Sequence, residues 1–251
     1  MAEAHPPLET LLQGRDPHAI LEHSLVEAGF PGGATQKFLV DGLPGVVVRL
    51  NPGHPKKVFA ASPVVNDLSR HGIQALPHLP VLHNNEAYVF TQRVTGQDLL
   101  SALGADRTGE LARLSDTTWK ELGQYMLESL RSDRLTALDI EGASQHMHGT
   151  VGESDPGIRL VDLSEYVVRF SESPDFFGLS TLAIAHATVD IESAAGTRLT
   201  QTRGVATEII STAYELGILD VENNAKAAEA SLEQGRKLEM LSGKLRDINL
   251  P

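Results

Sequence analysis

The sequence predicts an α+β fold of two lobes, a small antiparallel sheet followed by a mainly helical part. Three observations carry this expectation. Two β-prone runs, "KFLV" and "VVVRL", flank the turn signal Asp41-Gly42-Leu43-Pro44-Gly45. A second pair, "LPVL" and "AYVFTQRV", flanks Asn84-Asn85. Beyond them the hydrophobic period changes, because Trp119, Leu122, Met126 and Leu130 recur at the three- and four-residue spacing of an amphipathic helix. The change puts a lobe boundary near residues 93–97, with 1–95 as leading helix plus sheet and 96–251 as the helical lobe.

Taken in order, residues 8–29 read as helical with an interruption near Gly14. Asp16 is a good N-cap, Pro17 suits the first helical position, and Leu21, Leu25 and Ala28 form one apolar stripe. Gly29, Gly32 and Gly33 then make a turn whose backbone N–H groups could lie over a phosphate, although glycines beside a proline also make ordinary loops. After the first hairpin, Ser62-Pro63 predicts the start of a helix of two to three turns ending at Gly72. The second hairpin passes through "TGQDLLSAL" into a helix. The Trp119 helix, with Trp119 in the core, ends in the charged "RSDR".

Residues 135–150 read as loop and then strand, and lead into "GIRLVDLSEY". There Ile158, Leu160 and Leu163 frame an apolar strand that delivers Asp162 to its end, so a hairpin carries Asp139 before it and Asp162 after it. Val205, Ile209, Ala213 and Leu216 predict a further helix, and Ala225, Ala228, Leu232, Leu238, Leu241 and Leu245 a long terminal one that Gly235 interrupts. On that last helix Glu229 and Glu233 against Arg236 and Lys237 give ordinary i, i+4 support, and its charged face is either solvated or a partner surface.

Composition narrows the function classes. The 251 residues carry 21 Lys plus Arg against 33 Asp plus Glu, a formal charge of -12 that disfavours nucleic acid and anionic membrane as partners. There is no cysteine, so disulfides, thiolate zinc sites and cysteine nucleophiles are excluded. Neither a basic leader nor a run of about 20 apolar residues is present, which predicts a cytoplasmic protein. No G-x-S-x-G elbow, Walker loop or G-x-G-x-x-G fingerprint occurs.

The order of helix, hairpin, helix, hairpin, linker, helix, loop and Asp-bearing hairpin resembles the protein-kinase-like fold, in its aminoglycoside-phosphotransferase-like or small bacterial kinase branch. The resemblance covers residues 30–170, with "YVFTQRVTGQDL" similar to the strand entering the interlobe linker and "IRLVDLSEY" to the metal-aspartate strand. It implies ATP and magnesium as cofactors, and a nucleotide and a protein as partners. By that resemblance Asp162 stands for the magnesium aspartate, Asp139 for the catalytic-loop aspartate, Ser144 for the asparagine five residues on, and Arg49 for the third-strand lysine. Asp67 stands for the helical glutamate that orients that lysine, and Gly32 and Gly33 for the phosphate-covering turn.

The pattern departs from the family at several of these positions. Leu163-Ser164 follows Asp162 in place of Phe-Gly, no His-Arg precedes Asp139, and Ser144, Arg49 and Asp67 each replace another residue type. Arginine keeps the charge of lysine but not its geometry. Phosphoryl transfer depends on positioning and charge neutralisation, where losing one oxyanion-type donor costs about 2.7–4 kcal/mol. The expectation is therefore a degenerate member, a pseudokinase with a nucleotide cleft and a regulatory or scaffold role. The alternatives are an active ATP-dependent phosphotransferase on a small molecule or protein, a non-catalytic α+β binding protein whose acids lie on the surface, and a metal-dependent hydrolase. The last rests on His146 and His148, which at i and i+2 share one strand face and could hold an ion with Asp162.

Overall fold

The computed structural model describes residues 8–27, 36–51, 55–93, 97–134, 136–137, 147–150, 157–160, 167–169, 171 and 187–218. The fold is α+β, with a five-stranded antiparallel sheet and a helical part. Two short helices, α1 (Leu8–Leu11) and α2 (Pro17–His23), lead into β1 (Leu25–Glu27). Asp16 caps α2 as its sequence predicts, its Oδ1 accepting from the His18 N–H at 3.1 Å. The predicted helix over 8–29 does not run through Leu25, however. The chain turns at Ser24 and extends, because Leu25, Val26 and Glu27 pair with Val40, Leu39 and Phe38. Gaining a ladder at the sheet edge outweighs continuing a short helix, and β-branched Val26 suits the strand.

The first hairpin joins β2 (Gln36–Val40) to β3 (Leu43–Asn51) through Asp41-Gly42, with Gly42 at φ +73 where a side chain would be strained. The second joins β4 (His78–His83) to β5 (Glu86–Gln92), and Asn84 and Asn85 both adopt positive φ, 50° and 64°, as a primed turn requires. The sheet order is β1-β2-β3-β5-β4. One face packs Val46, Val48, Val81 and Phe90 against Leu8 of α1 and Ile20 of α2. On the other face α3 (Pro55–Arg70) lies against β4 and β5, with Val58 packed on Ala87 and Val89.

Helix α3 begins eight residues before the predicted Ser62-Pro63 start, and Pro63 lies inside it. Its apolar positions continue on both sides of the proline, with Val58 before and Val64, Val65 and Leu68 after, all buried. That burial offsets the lost backbone hydrogen bond, and the exposed side of the helix accommodates the ring. Gly72 does end the segment, at φ +75, while the Ile73 N–H returns to Leu68 O at 3.1 Å.

The helical part is built on α4 (Leu99–Ala105), α5 (Glu110–Ser132), helical residues 187–195 (α6) and α7 (Thr200–Glu215). Trp119, Leu122, Met126 and Leu130 are all buried in its core, as their spacing predicts. The buried hydroxyls of Ser115 and Ser129 return to the carbonyls of Leu111 and Tyr125 at 2.7 and 2.8 Å, which satisfies them inside the helix. α5 and α7 approach closely at Gly123, where an added Cβ would lie 2.5 Å from Val205 Cγ1. Asp116 of α5 caps the first turn of α7, accepting from the Thr202 N–H and hydroxyl, each at 2.9 Å. The predicted terminal helix over 225–245 lies outside the described residues.

Three short ladders complete the described chain. β6 (Gln97–Asp98), β8 (Met147–Thr150) and β9 (Gly157–Leu160) form one sheet, with β8 and β9 the antiparallel hairpin predicted ahead of Asp162. β7 (Thr136–Ala137) pairs with β10 (Val167–Val168). β9 also bonds to the segment after α3, with Leu160 N–H donating to Gln74 O at 2.8 Å and Leu76 N–H to Leu160 O at 3.1 Å.

Two predictions follow from this packing. Gly123→Ala is expected to lower stability, because the stiff Val205 side chain must move, an overpacking cost of about 1–3 kcal/mol that exceeds the roughly 1 kcal/mol gained in helix propensity. Adding Val205→Ala should recover part of the loss, and additive effects in urea unfolding would contradict the contact. The second concerns Glu192, which links α6 to α7 by accepting from the Leu199 N–H and from Arg203 Nε, both at 2.7 Å. Burial pushes the Glu192 carboxyl up, but the Arg203 hydrogen bond, the Leu199 N–H and the charges of Arg203 and Arg198 outweigh it and hold the group below its ordinary range. Its stabilisation is present above the unfolded carboxylate pKa and is lost as pH falls through the lower folded value. Glu192→Gln should therefore lower Tm at neutral pH, with the difference from wild type shrinking in acid; a constant difference across pH would contradict it.

Candidate functional site

Strand register decides which side chains share the α3-side face of the large sheet. Residues directly opposite on neighbouring strands project to the same side. Val26, Leu39, Val47, Thr91 and His78 therefore form one continuous row across all five strands. The adjacent row is Lys37, Arg49, Val89 and Pro80. His78 Nε2 lies 3.2 Å from Val58 O, which fixes this face as the one under α3. α3 packs on the β4 and β5 side, and along the row the apolar residues pass from Val26, 52% exposed at the sheet edge, through the half-buried Leu39 to Val47, which is buried.

Arg49 stands beside Val47 in the next row, buried and partnered within the chain. Its cross-strand neighbour is Lys37, a second cation that the sequence reading did not single out. Like charges directly opposite on neighbouring strands destabilise a sheet. The signal for Lys37 was present only as the alternation of β2, and the register was needed to bring it to Arg49.

Asp67 is held elsewhere. Arg134 donates to its Oδ2 from Nη1 at 3.3 Å, and Arg70 Nη1 lies 3.9 Å from its Oδ1. Arg134 also donates to Glu128 Oε2 at 2.8 Å and rests on the Tyr125 ring at 5.8 Å from its centroid. His71 completes the cluster, edge-on to Tyr125 and 3.7 Å from Glu128 Oε2. The residue that resemblance makes an orienting acid for Arg49 instead ties α3 to the end of α5. Arg134 is separated from it by 67 positions, and nothing local in the sequence points to the pair.

Gly32, Gly33, Asp139, Ser144, Asp162 and His146 lie outside the described residues, and of His148 only the backbone on β8 is described. The segments flanking the two aspartates are described and meet. Ala137 and Thr136 pair with Val167 and Val168, so the chain just before Asp139 is bonded to the chain just after Asp162. Asp133, in the left-handed region at φ 49, strengthens the same junction. Its carboxylate accepts from the Ser171 hydroxyl at 2.6 Å and the Ser171 N–H at 2.8 Å, while Arg169 donates to its carbonyl at 3.0 Å. The Ser171 hydroxyl, then its N–H, then the Arg169 charge hold the Asp133 carboxyl below its ordinary range. On the other side of Asp162, Leu160 is fixed to Gln74 and Leu76.

A separate open depression of about 470 Å³ lies at the α6–α7 junction, lined by Val189, Glu192, Thr197, Arg198 and Arg203. It shares no residue with the sheet face, and its principal charges are the Glu192–Arg203 pair that holds the two helices together. Among the described residues no group of three His, Cys, Asp or Glu side chains is placed to hold a metal ion, and no helix is long and apolar enough to cross a membrane.

No protein-family pattern matches the chain, and no curated protein matches it by sequence. Among solved structures it is similar to WaaP in complex with acyl carrier protein, at 15% identity and a TM-score of 0.51, over 96% of this chain and 99% of that one. The likeness spans nearly the whole of both chains, and it shows that this protein has the kinase-like, two-lobe α+β fold.

Proposed function

We propose that the chain is a kinase-fold protein that binds a nucleotide and its magnesium between the open side of the large sheet and the aspartate-bearing loops, without efficient phosphotransfer. The observation that carries this reading is the pair of rows on the sheet face. Val26 and Leu39 offer an apolar edge suited to a base, continued inward by the buried Val47, and Lys37, opposite the buried and partnered Arg49, offers positive charge one row away, suited to phosphates. The degenerate part of the reading is supported by Asp67, whose carboxylate is committed to Arg134 and Arg70. Phosphoryl transfer depends on groups held in one geometry, and the acid that the resemblance assigns to that task is engaged by other cations.

Asp162 would hold magnesium and Asp139 would face the phosphoryl acceptor in this reading, with Ser144 a weak second metal ligand and Gly32 and Gly33 covering the phosphates. Magnesium would supply charge neutralisation at the phosphate oxygens. A second reading, a working phosphotransferase, is favoured by the bonded junction between 136–137 and 167–168, which ties the two aspartate segments together. The solved complex of WaaP with acyl carrier protein supports a protein partner as well.

Thermal unfolding with ATP and magnesium tests the reading. At a hundredfold excess over Kd, binding contributes about 2.7 kcal/mol, a rise in Tm of roughly 5–10 °C for a chain of this size. Lys37→Glu is expected to remove most of that rise while leaving the ligand-free Tm near that of wild type. No rise in wild type, or an equal rise in the variant, would overturn the site. Transfer of labelled phosphate separates the two readings: the first expects no transfer that depends on Asp162, whereas a wild-type rate that collapses in Asp162→Ala establishes the second.

A further inference from the structure

On the opposite face of the sheet, two histidines from different elements meet. His18 lies in the first turn of α2 and His83 at the end of β4, and their Nδ1 atoms are 3.5 Å apart. The rings are tilted by 44° with centroids 5.7 Å apart, so they do not stack face to face. As a hydrogen bond the separation is long, since N–H donors sit about 2.7–3.2 Å from their acceptors. As the bite of a metal ion it fits: two nitrogens each about 2.0–2.1 Å from a tetrahedral ion lie roughly 3.3–3.4 Å apart.

Both imidazoles are carried on fixed elements. Asp16 caps the start of α2 through the His18 N–H, and Ile20, one turn along, is buried in the same cluster as Val81 of β4. His83 is braced by the edge of the Tyr88 ring, centroids 6.4 Å apart, and Tyr88 donates to Glu86 Oε2 at 2.8 Å. Burial, followed by the hydrogen bond and charge of Glu86, pushes the Tyr88 hydroxyl up to about 12, so it keeps its proton and its hold on Glu86. Glu86 is the cross-strand partner of His83, and Glu22 follows His18 by one helical turn. Both add negative potential in a chain of net charge -12.

We propose that His18 and His83 form a two-imidazole seat for a divalent transition-metal ion of the zinc class, clasping α2 to the β4–β5 hairpin with water in the remaining positions. Imidazole nitrogen suits zinc, copper and nickel better than magnesium or calcium, so this seat is chemically distinct from a magnesium site at the phosphates. With no third protein ligand placed among the described residues, binding is expected to be moderate and reversible.

Titration calorimetry of the full chain with zinc chloride, on wild type, His18→Ala and His83→Ala, tests this. Wild type should bind one zinc ion that each variant binds at least about tenfold more weakly, since even an outer-shell partner is worth about 10- to 100-fold in affinity. Tetrahedral cobalt(II) absorption should appear in wild type and vanish in both variants. Metal-free Tm values confirm that the variants are folded, as expected for substitutions at an exposed and a half-buried side chain. Equal zinc affinity and stoichiometry in all three proteins, or no binding by wild type, would overturn the proposal. Neither result bears on nucleotide binding, which uses the other face of the sheet.

Discussion

The architecture depends on the way α3 and the residues after it belong to two cores at once. Val58, near its start, packs on Ala87 and Val89 of the sheet, while Val64, Val65, Leu68 and Ile73 are buried with Trp119, Leu122 and Ile158 of the helical part. The following residues, Gln74 and Leu76, bond through their backbones to Leu160. Apolar burial is non-directional and would allow the two parts to slide, but the paired backbone bonds fix the register between them. The strand that leads to Asp162 is thereby tied to the same segment that positions the sheet face carrying Arg49. Asp67, Arg134, Glu128 and His71 add a polar clasp between α3 and the end of α5. These pairs are partly exposed, so they contribute orientation more than stability.

That arrangement is compatible with the proposed combination of a nucleotide site and altered chemistry. The apolar row and the cation row come from sheet register, which the two hairpins fix without reference to any catalytic residue. The acid expected to orient Arg49 has been turned to a structural use, holding α3 down on Arg134. A binding surface survives such a change because it needs area and charge. Phosphoryl transfer does not tolerate it well, because it needs a cation held in one geometry.

Much of this was legible in the residues. The hairpins at 36–51 and 78–92 were announced by their turns, Asp41-Gly42 and Asn84-Asn85, whose side chains and backbone freedom demand that geometry. The Trp119 helix was announced by its period. β1 was hidden because three residues are too few to show alternation and follow directly on a capped helix. The start of α3 was hidden because Ser62-Pro63 imitates a helix start, and only the buried positions on both sides of Pro63 reveal the longer element. The Asp67–Arg134 pair, the meeting of Lys37 with Arg49, and the approach of His18 to His83 depend on contacts between segments far apart in the chain. Local propensity carries no information about them.

The proposed ligand face is the β1 to β3 side of the sheet, with Val26 and Leu39 under the base and the buried Val47 next to them. Methyl-resolved NMR of the full chain, titrated with ATP and magnesium, reads those side chains directly. The account predicts saturable shifts at Val26, Leu39 and Val47, with Val46 and Val48 on the opposite face and Val189 at the α6–α7 depression much less affected. Shifts confined to Val189 and its neighbours, or no saturable shifts at any methyl group, would contradict it.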